Sequence, residues 1–546
     1  MLRQTLHRQA TASFKNVLQH APAKTSTSAI AAISHSLRLQ AQAIREYSTP
    51  SSPSSSPSSS PSTPSSQGQQ PKYRQFHSSD ISQQAREVSG FPILEDPLVH
   101  NHSIPSFMVG TQNGFLPRQD PMDVLPKEYE ALEQLLQKMP LTLKDGSKGL
   151  LALGQFGEAC KSLPQYDLSN VEDSELLSAL YRDYTFVASA YLLEPCDLLY
   201  RKTGDYGLGR SVLPKNIAVP LVQVAEKIGA KPFMEYALSY ALYNYRRIDK
   251  TKGLVWGNLE LIRPFSGDKS EVGFIISHVT MVSHSGELVK NTMRTLQAAE
   301  KHNRQVFNES LANVVSTYEK INMEMDTMWE RSLPSDYLKF RTFIMGTKNQ
   351  PMFPKGVIYE GVSDEPMFHR GESGANDSMV PMGDNLLQLT ESMPSNPLTA
   401  VLKDFRTYRP HNHAEFLEFV EEKARQTQVR HFAEQDPNSA AIYLAAVDQI
   451  RNFRNRHWSF TKEYIIKYTK HPVATGGSPI VTWLPNQLAT VLKTMQEVGA
   501  KIDANQLLPE NKTLVNTLTK RADAQARILD REVAQLRTEI RDQDKV

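Results

Sequence analysis

Apolar residues at helical spacing dominate the chain from residue 89 onward. The segments 174–194, 216–230, 232–247, 271–300 and 304–333 each repeat apolar positions every three to four residues, the pattern of a helix that buries one face. In 304–333 the stripe is Phe307, Leu311, Val314, Tyr318 and Ile321. Helices are also predicted over 396–407, 412–427 and 439–469, and alternating strand patterns are scarce. The pattern predicts an all-α fold. Two stretches interrupt it: a Gly-rich loop at 354–381, and a loop at 470–487 that carries Thr475-Gly476-Gly477. Loops of that length inside a compact domain usually serve function.

The helix predicted over 439–469 has a seam of Ile450, Phe453, Phe460, Tyr464 and Tyr468, and the gap in that seam is His457. Arg454 lies one turn earlier on the same side. An imidazole so placed points into the core, which leaves two readings. One is a neutral core histidine bonded to a backbone carbonyl. The other is an axial ligand to heme iron, with Arg454 meeting a propionate at the pocket edge. Arg341 raises a similar question, since it sits among Tyr337, Phe340, Phe343 and Ile344. A guanidinium in that setting pairs either with an internal acid or with a substrate carboxylate. The His411-Asn412-His413 triplet has no further ligands nearby in sequence to complete a metal set, and reads as a solvated loop.

The ends differ in composition. Residues 1–48 are rich in Arg, Ser, Thr and Ala with no acid before Glu46, as in a mitochondrial transit peptide, and 45–48 resemble a matrix-peptidase site. Mitochondrial localisation is therefore expected, the cytoplasm being the alternative. Residues 49–87 form a Ser/Pro-rich linker expected to be disordered. The first fifty residues hold six Lys/Arg against one acid, so the net charge of +2 conceals a mildly acidic remainder with no nucleic-acid footprint. Two cysteines build neither a disulfide framework nor a zinc site. No run of apolar residues is long enough to predict a membrane span. At 501–546, Ala522, Leu529 and Leu536 recur every seven residues, as do Ala526, Val533 and Ile540. A short coiled coil offering self-association and a lone solvated helix both fit.

Four segments together, 211–245, 356–378, 405–422 and 451–469, resemble the indoleamine 2,3-dioxygenase family, in particular "LPKNIAVP", "YEG" and "RNRHWSFTKEYI" around His457. The likeness runs from about residue 88 to 500. It implies a small, mostly helical N-terminal domain (88–230) and a large helical domain (231–500), with heme b between them, one per chain and ferrous when active. It implies cleavage of the indole C2–C3 bond of L-tryptophan by O2 to give N-formyl-kynurenine, toward NAD synthesis, with an unidentified reductant keeping the iron active. Carried over by resemblance, His457 is the proximal ligand and Arg454 a propionate partner. Arg341 holds the substrate carboxylate, and Tyr236 and Ser239 line the indole pocket. Ser373, Gly374 and Ala375 form a loop over the heme edge, and Thr475 belongs to a loop that meets the substrate ammonium. Tyr337 is the candidate for an aromatic over the indole. His278 falls near the distal position, where it either faces the heme or is a satisfied core residue. A heme-binding paralogue with little dioxygenase activity, acting as sensor or carrier, is the alternative.

Overall fold

The computed structural model describes residues 85–88, 90–389, 404–468, 473–478 and 480–543. The expected leader, most of the linker, and most of the helix expected at 396–407 lie outside these residues. The linker ends earlier than its composition suggests, because Ala85–Val88 is a strand (β1) pairing antiparallel with β2, Phe91–Leu94.

The all-α expectation holds. The longer helices are α1 (Glu130–Lys138), α2 (Ser174–Thr203), α3 (Lys215–Ile228), α4 (Lys269–Val282), α5 (Ser285–Glu300), α6 (Arg304–Asp326), α7 (Met379–Leu386), α8 (His411–Thr427), α9 (Pro437–Phe460), α10 (Ile480–Lys501) and α11 (Pro509–Gln543). The remaining described strands are short: β3 (Val212–Leu213) parallel to β6 (Ile358–Tyr359), and β4 (Tyr245–Arg247) antiparallel to β5 (Leu259–Leu261). A continuous apolar core runs from Phe91 to Leu529. No described helix is long and apolar enough to cross a membrane.

Local chemistry sets the boundaries. Asp173, Asp268, Asn303 and Asp436 cap α2, α4, α6 and α9 by accepting from free backbone N–H groups of the first turn. Pro437 at the start of α9 has no N–H to lose there. The helix predicted over 271–300 is two, α4 and α5.

Three expectations are corrected. Residues 232–247 are not a helix: a single π-type turn, Tyr236–Tyr240, gives way to a turn and then β4. Asn244 drives the break, because its amide donates to Tyr240 O and Arg263 O and its carbonyl accepts from Arg263 N. The predicted loop at 470–487 is already helical from Ile480, with Pro485 inside α10. The His-Asn-His triplet is no solvated loop. His413 is buried against Phe107 and Phe115, and Asn412 accepts from Val109 N, so the start of α8 anchors the N-terminal segment.

The C-terminal seam is used within the chain. Leu514, Leu518, Ala522 and Leu529 are buried as α11 packs on α9 and α10. The heptad-like repeat records this docking of one long helix, since packing against neighbours in the same chain needs the same spacing as a coiled coil.

Candidate functional site

α9 is fixed on every side around His457. Arg451 pairs with Asp448 at 2.6 Å and donates to Gln525 at 2.6 Å. Arg454 donates to Asp384 at 2.6 Å and to Gln487 O at 3.1 Å. Arg456 pairs with Asp326 and donates to Asn322 at 2.7 Å. The Trp458 indole donates to Glu532 of α11 at 3.0 Å. The His457 imidazole makes no hydrogen bond, ion pair or ring contact with any described residue, although it keeps accessible surface and burial pushes its pKa down to about 4. A side chain that is strongly desolvated yet still accessible borders an interior space. The reading of a core histidine satisfied by a carbonyl finds no such carbonyl among the described residues.

The opposite wall is built by α4. Phe274 and His278 lie one helical turn apart and both are half-buried. Burial holds the His278 imidazole down to about 4, and a charge on His457 would lower it further, so the two rings share one region. The Tyr236 hydroxyl lies 3.3 Å from His278 Nδ1, and its ring meets the imidazole edge-on. Both histidines are neutral at pH 7, the form in which imidazole offers a lone pair to a metal or accepts a hydrogen bond.

Ser373-Gly374-Ala375 forms the rim. Ser373 caps the short turn Gly374–Asn376 by accepting from Ala375 N. Gly374 is open, and a side chain at that position would reach toward His278 Cε1. Arg409 braces this rim from behind by donating to the carbonyl of Ala375 at 3.0 Å. Thr475 closes on the same rim, its hydroxyl donating to Glu372 O at 2.5 Å while Gly346 N donates to Thr475 O at 3.0 Å. Gly477 turns this loop with a φ of +82°, a conformation that suits glycine.

Arg341 is fully buried in the short helix Tyr337–Arg341. Its guanidinium donates to Val473 O at 2.7 Å and to the Tyr206 hydroxyl at 3.4 Å, while Nε has no partner. No described carboxylate lies within ion-pair distance of it, so an internal salt bridge finds no partner among the described residues. Phe274 bridges the parts, its ring 5.1 Å from His278 and 5.4 Å from Tyr337.

The structure thus brings His457, His278, Tyr236, Phe274, Tyr337, Arg341, Thr475 and the 373–375 rim into one neighbourhood. Ser239 lies behind this surface: it is fully buried and its hydroxyl donates to Glu235 O at 2.8 Å. Tyr468, read as part of the seam, is exposed beyond the π-type turn Thr461–Ile466 that ends α9. Sequence reasoning missed Asp384 as the partner of Arg454, Arg409 as the brace, and Glu372. The signal for Glu372 was an acid between glycine and the rim serine.

A family model described as indoleamine 2,3-dioxygenase matches residues 103–504. The chain belongs to the indoleamine 2,3-dioxygenase family. Similar relatives include indoleamine 2,3-dioxygenase 1 of Rattus norvegicus, 23% identical over 353 residues that cover 64% of this chain and 82% of that protein. The indoleamine 2,3-dioxygenase of Aspergillus candidus is 26% identical over 381 residues, 66% of this chain and 88% of that protein. A protein named myoglobin from Haliotis diversicolor is 24% identical over 350 residues, 64% of this chain and 85% of that protein. In this family context, the unpartnered neutral imidazole of His457 beside an interior space fits the axial ligand of a heme. α11 lies outside the matched residues and buttresses the helix that carries this histidine.

Proposed function

We propose that this chain is a heme-dependent dioxygenase that cleaves the indole C2–C3 bond of L-tryptophan with O2 to give N-formyl-kynurenine, an early step toward NAD. The reading is supported above all by the free, neutral imidazole of His457 facing an interior space shared with His278. Heme, when bound, supplies the redox chemistry that brings O2 into reaction with an electron-rich indole.

His457 would hold the iron. Arg454, already ion-paired to Asp384, would present its remaining donors to a propionate. Arg341 would take the substrate carboxylate through its free N–H groups, the bidentate geometry that guanidinium favours. With Nδ1–H donating to the Tyr236 hydroxyl, His278 would offer Nε2 as acceptor to the indole N–H. Phe274 and Tyr337 would cover the ring, and Thr475 with the 373–375 rim would exclude water. The protein's work is then mostly positioning.

One observation favours a second reading, a heme-binding protein of the same fold with little dioxygenase activity: the similarity to the Haliotis myoglobin matches that to the dioxygenases. The test is turnover. Heme-loaded protein, reductant, air and L-tryptophan should yield N-formyl-kynurenine. Stable O2 binding without product would favour the second reading.

A further inference from the structure

Arg341 is not the only uncompensated ionisable group in this wall. Glu372 is buried, 3% exposed, immediately before the Ser373 rim. Among the described residues, no hydrogen-bond donor or cation reaches its carboxyl group, which burial alone pushes up to about 8. Its backbone is rigid, since Thr475 donates to its carbonyl, and Gly371 before it packs so closely on Gly346 that a side chain there would collide with backbone. The Tyr337 hydroxyl links the two groups. Beyond the effect of burial, its ionisation is favoured by the charge on Arg341 and opposed by a charge on Glu372. Tyr236 and Tyr240 also feel that charge. Arg341 and Glu372 therefore flank the same loop, Arg341 through its bond to Val473 O and Glu372 through the bond its carbonyl accepts from Thr475, without forming an ion pair.

A buried cation and a buried acid left apart are costly, and each retains unused hydrogen-bonding capacity. A ligand that carries both a carboxylate and an ammonium group satisfies the two together. We propose that Glu372 recognises the ammonium group of the substrate while Arg341 takes its carboxylate, so that the pocket selects a zwitterionic α-amino acid by both charges. This rests on the proposed tryptophan reading and deepens it. Glu372 is a specificity residue here and takes no part in bond cleavage.

The test uses heme-loaded full-length protein and three ligands: L-tryptophan, indole-3-propionate, which lacks the ammonium, and tryptamine, which lacks the carboxylate. Binding is read from perturbation of the heme absorption band. Glu372→Gln should weaken L-tryptophan and tryptamine by about ten- to a hundredfold, the range for a lost charged hydrogen bond. Indole-3-propionate should stay within about twofold. Glu372→Asp keeps a carboxyl group that can give up its proton to meet an ammonium, and should recover part of the preference for L-tryptophan over indole-3-propionate. Equal weakening of all three ligands by Glu372→Gln, or no change in their ratios, would overturn the assignment while leaving the dioxygenase reading intact. Failure of the unmodified protein to bind any of the three would overturn both.

Discussion

Two fully or nearly buried arginines in this protein should respond to the same substitution in opposite ways. Arg454 is ion-paired to Asp384 at 2.6 Å, whereas Arg341 has a carbonyl, a tyrosine hydroxyl and no carboxylate among the described residues. Replacing Arg454 by Met strands Asp384 in the core, which costs about 3 kcal/mol or more. Burial already raises the Asp384 pKa, so protonation of that carboxyl caps the loss. Arg341→Met forfeits one good hydrogen bond, worth about 1 kcal/mol, but removes a buried charge that no acid compensates. Its stability should match or exceed that of the unmodified chain. Function should invert the ranking. Arg341→Met should weaken L-tryptophan by about 3 kcal/mol, roughly a hundredfold, through loss of charged hydrogen bonds to the carboxylate. The assay is denaturant unfolding of the heme-free chains beside tryptophan titration of the heme-loaded ones. If Arg341→Met is destabilised as much as Arg454→Met, the guanidinium is a structural group and its assignment to substrate is wrong.

Further outcomes follow from burial and docking. His413 is pushed down to about 3 by burial and by Arg409, so the unfolded chain binds a proton that the folded chain refuses. Its stabilising contribution is full above about pH 6.5 and falls by roughly 2 kcal/mol by pH 5. The stability difference between the unmodified chain and His413→Gln should shrink by that amount in denaturant melts. The difference isolates this group, because Glu235 and Glu372, both pushed up to about 8 chiefly by burial, slope the other way. A constant difference would show that His413 does not titrate as described. Deleting residues 509–546 removes Leu514, Leu518 and Leu529 from the core and Glu532 from Trp458. At about 2 kcal/mol for each leucine, the shortened chain should aggregate or lose heme. A soluble truncate with full heme content would contradict the buttress role of α11. For the leader, residues 1–50 fused to a fluorescent protein should enter mitochondria, and diffuse cytosolic signal would refute the targeting reading.

Much of this site was legible in sequence because it rests on short-range periodicity. The seam of α9 put His457 inward, and the aromatic surroundings of Arg341 marked it as buried. What escaped depends on distant partners. Asp384 lies seventy residues before Arg454 in sequence. Asn412 meets Val109 across three hundred residues, so nothing local marked the triplet as buried. The apolar spacing in 232–247 was helical, yet β4 needs β5 and Asn244 needs Arg263, neither visible in an eleven-residue window. The C-terminal heptads gave the right helix and left its partner open, because identical spacing serves a second chain or the same one.

The central claim is that the His457 imidazole binds heme iron. The direct measurement is the absorption spectrum of the purified chain supplied with heme, beside His457→Ala with its helical content checked by circular dichroism. The account predicts a Soret band that shifts when L-tryptophan is added, and a folded His457→Ala chain that lacks the band. A colourless unmodified protein, or a variant with an unaltered Soret band, would contradict it.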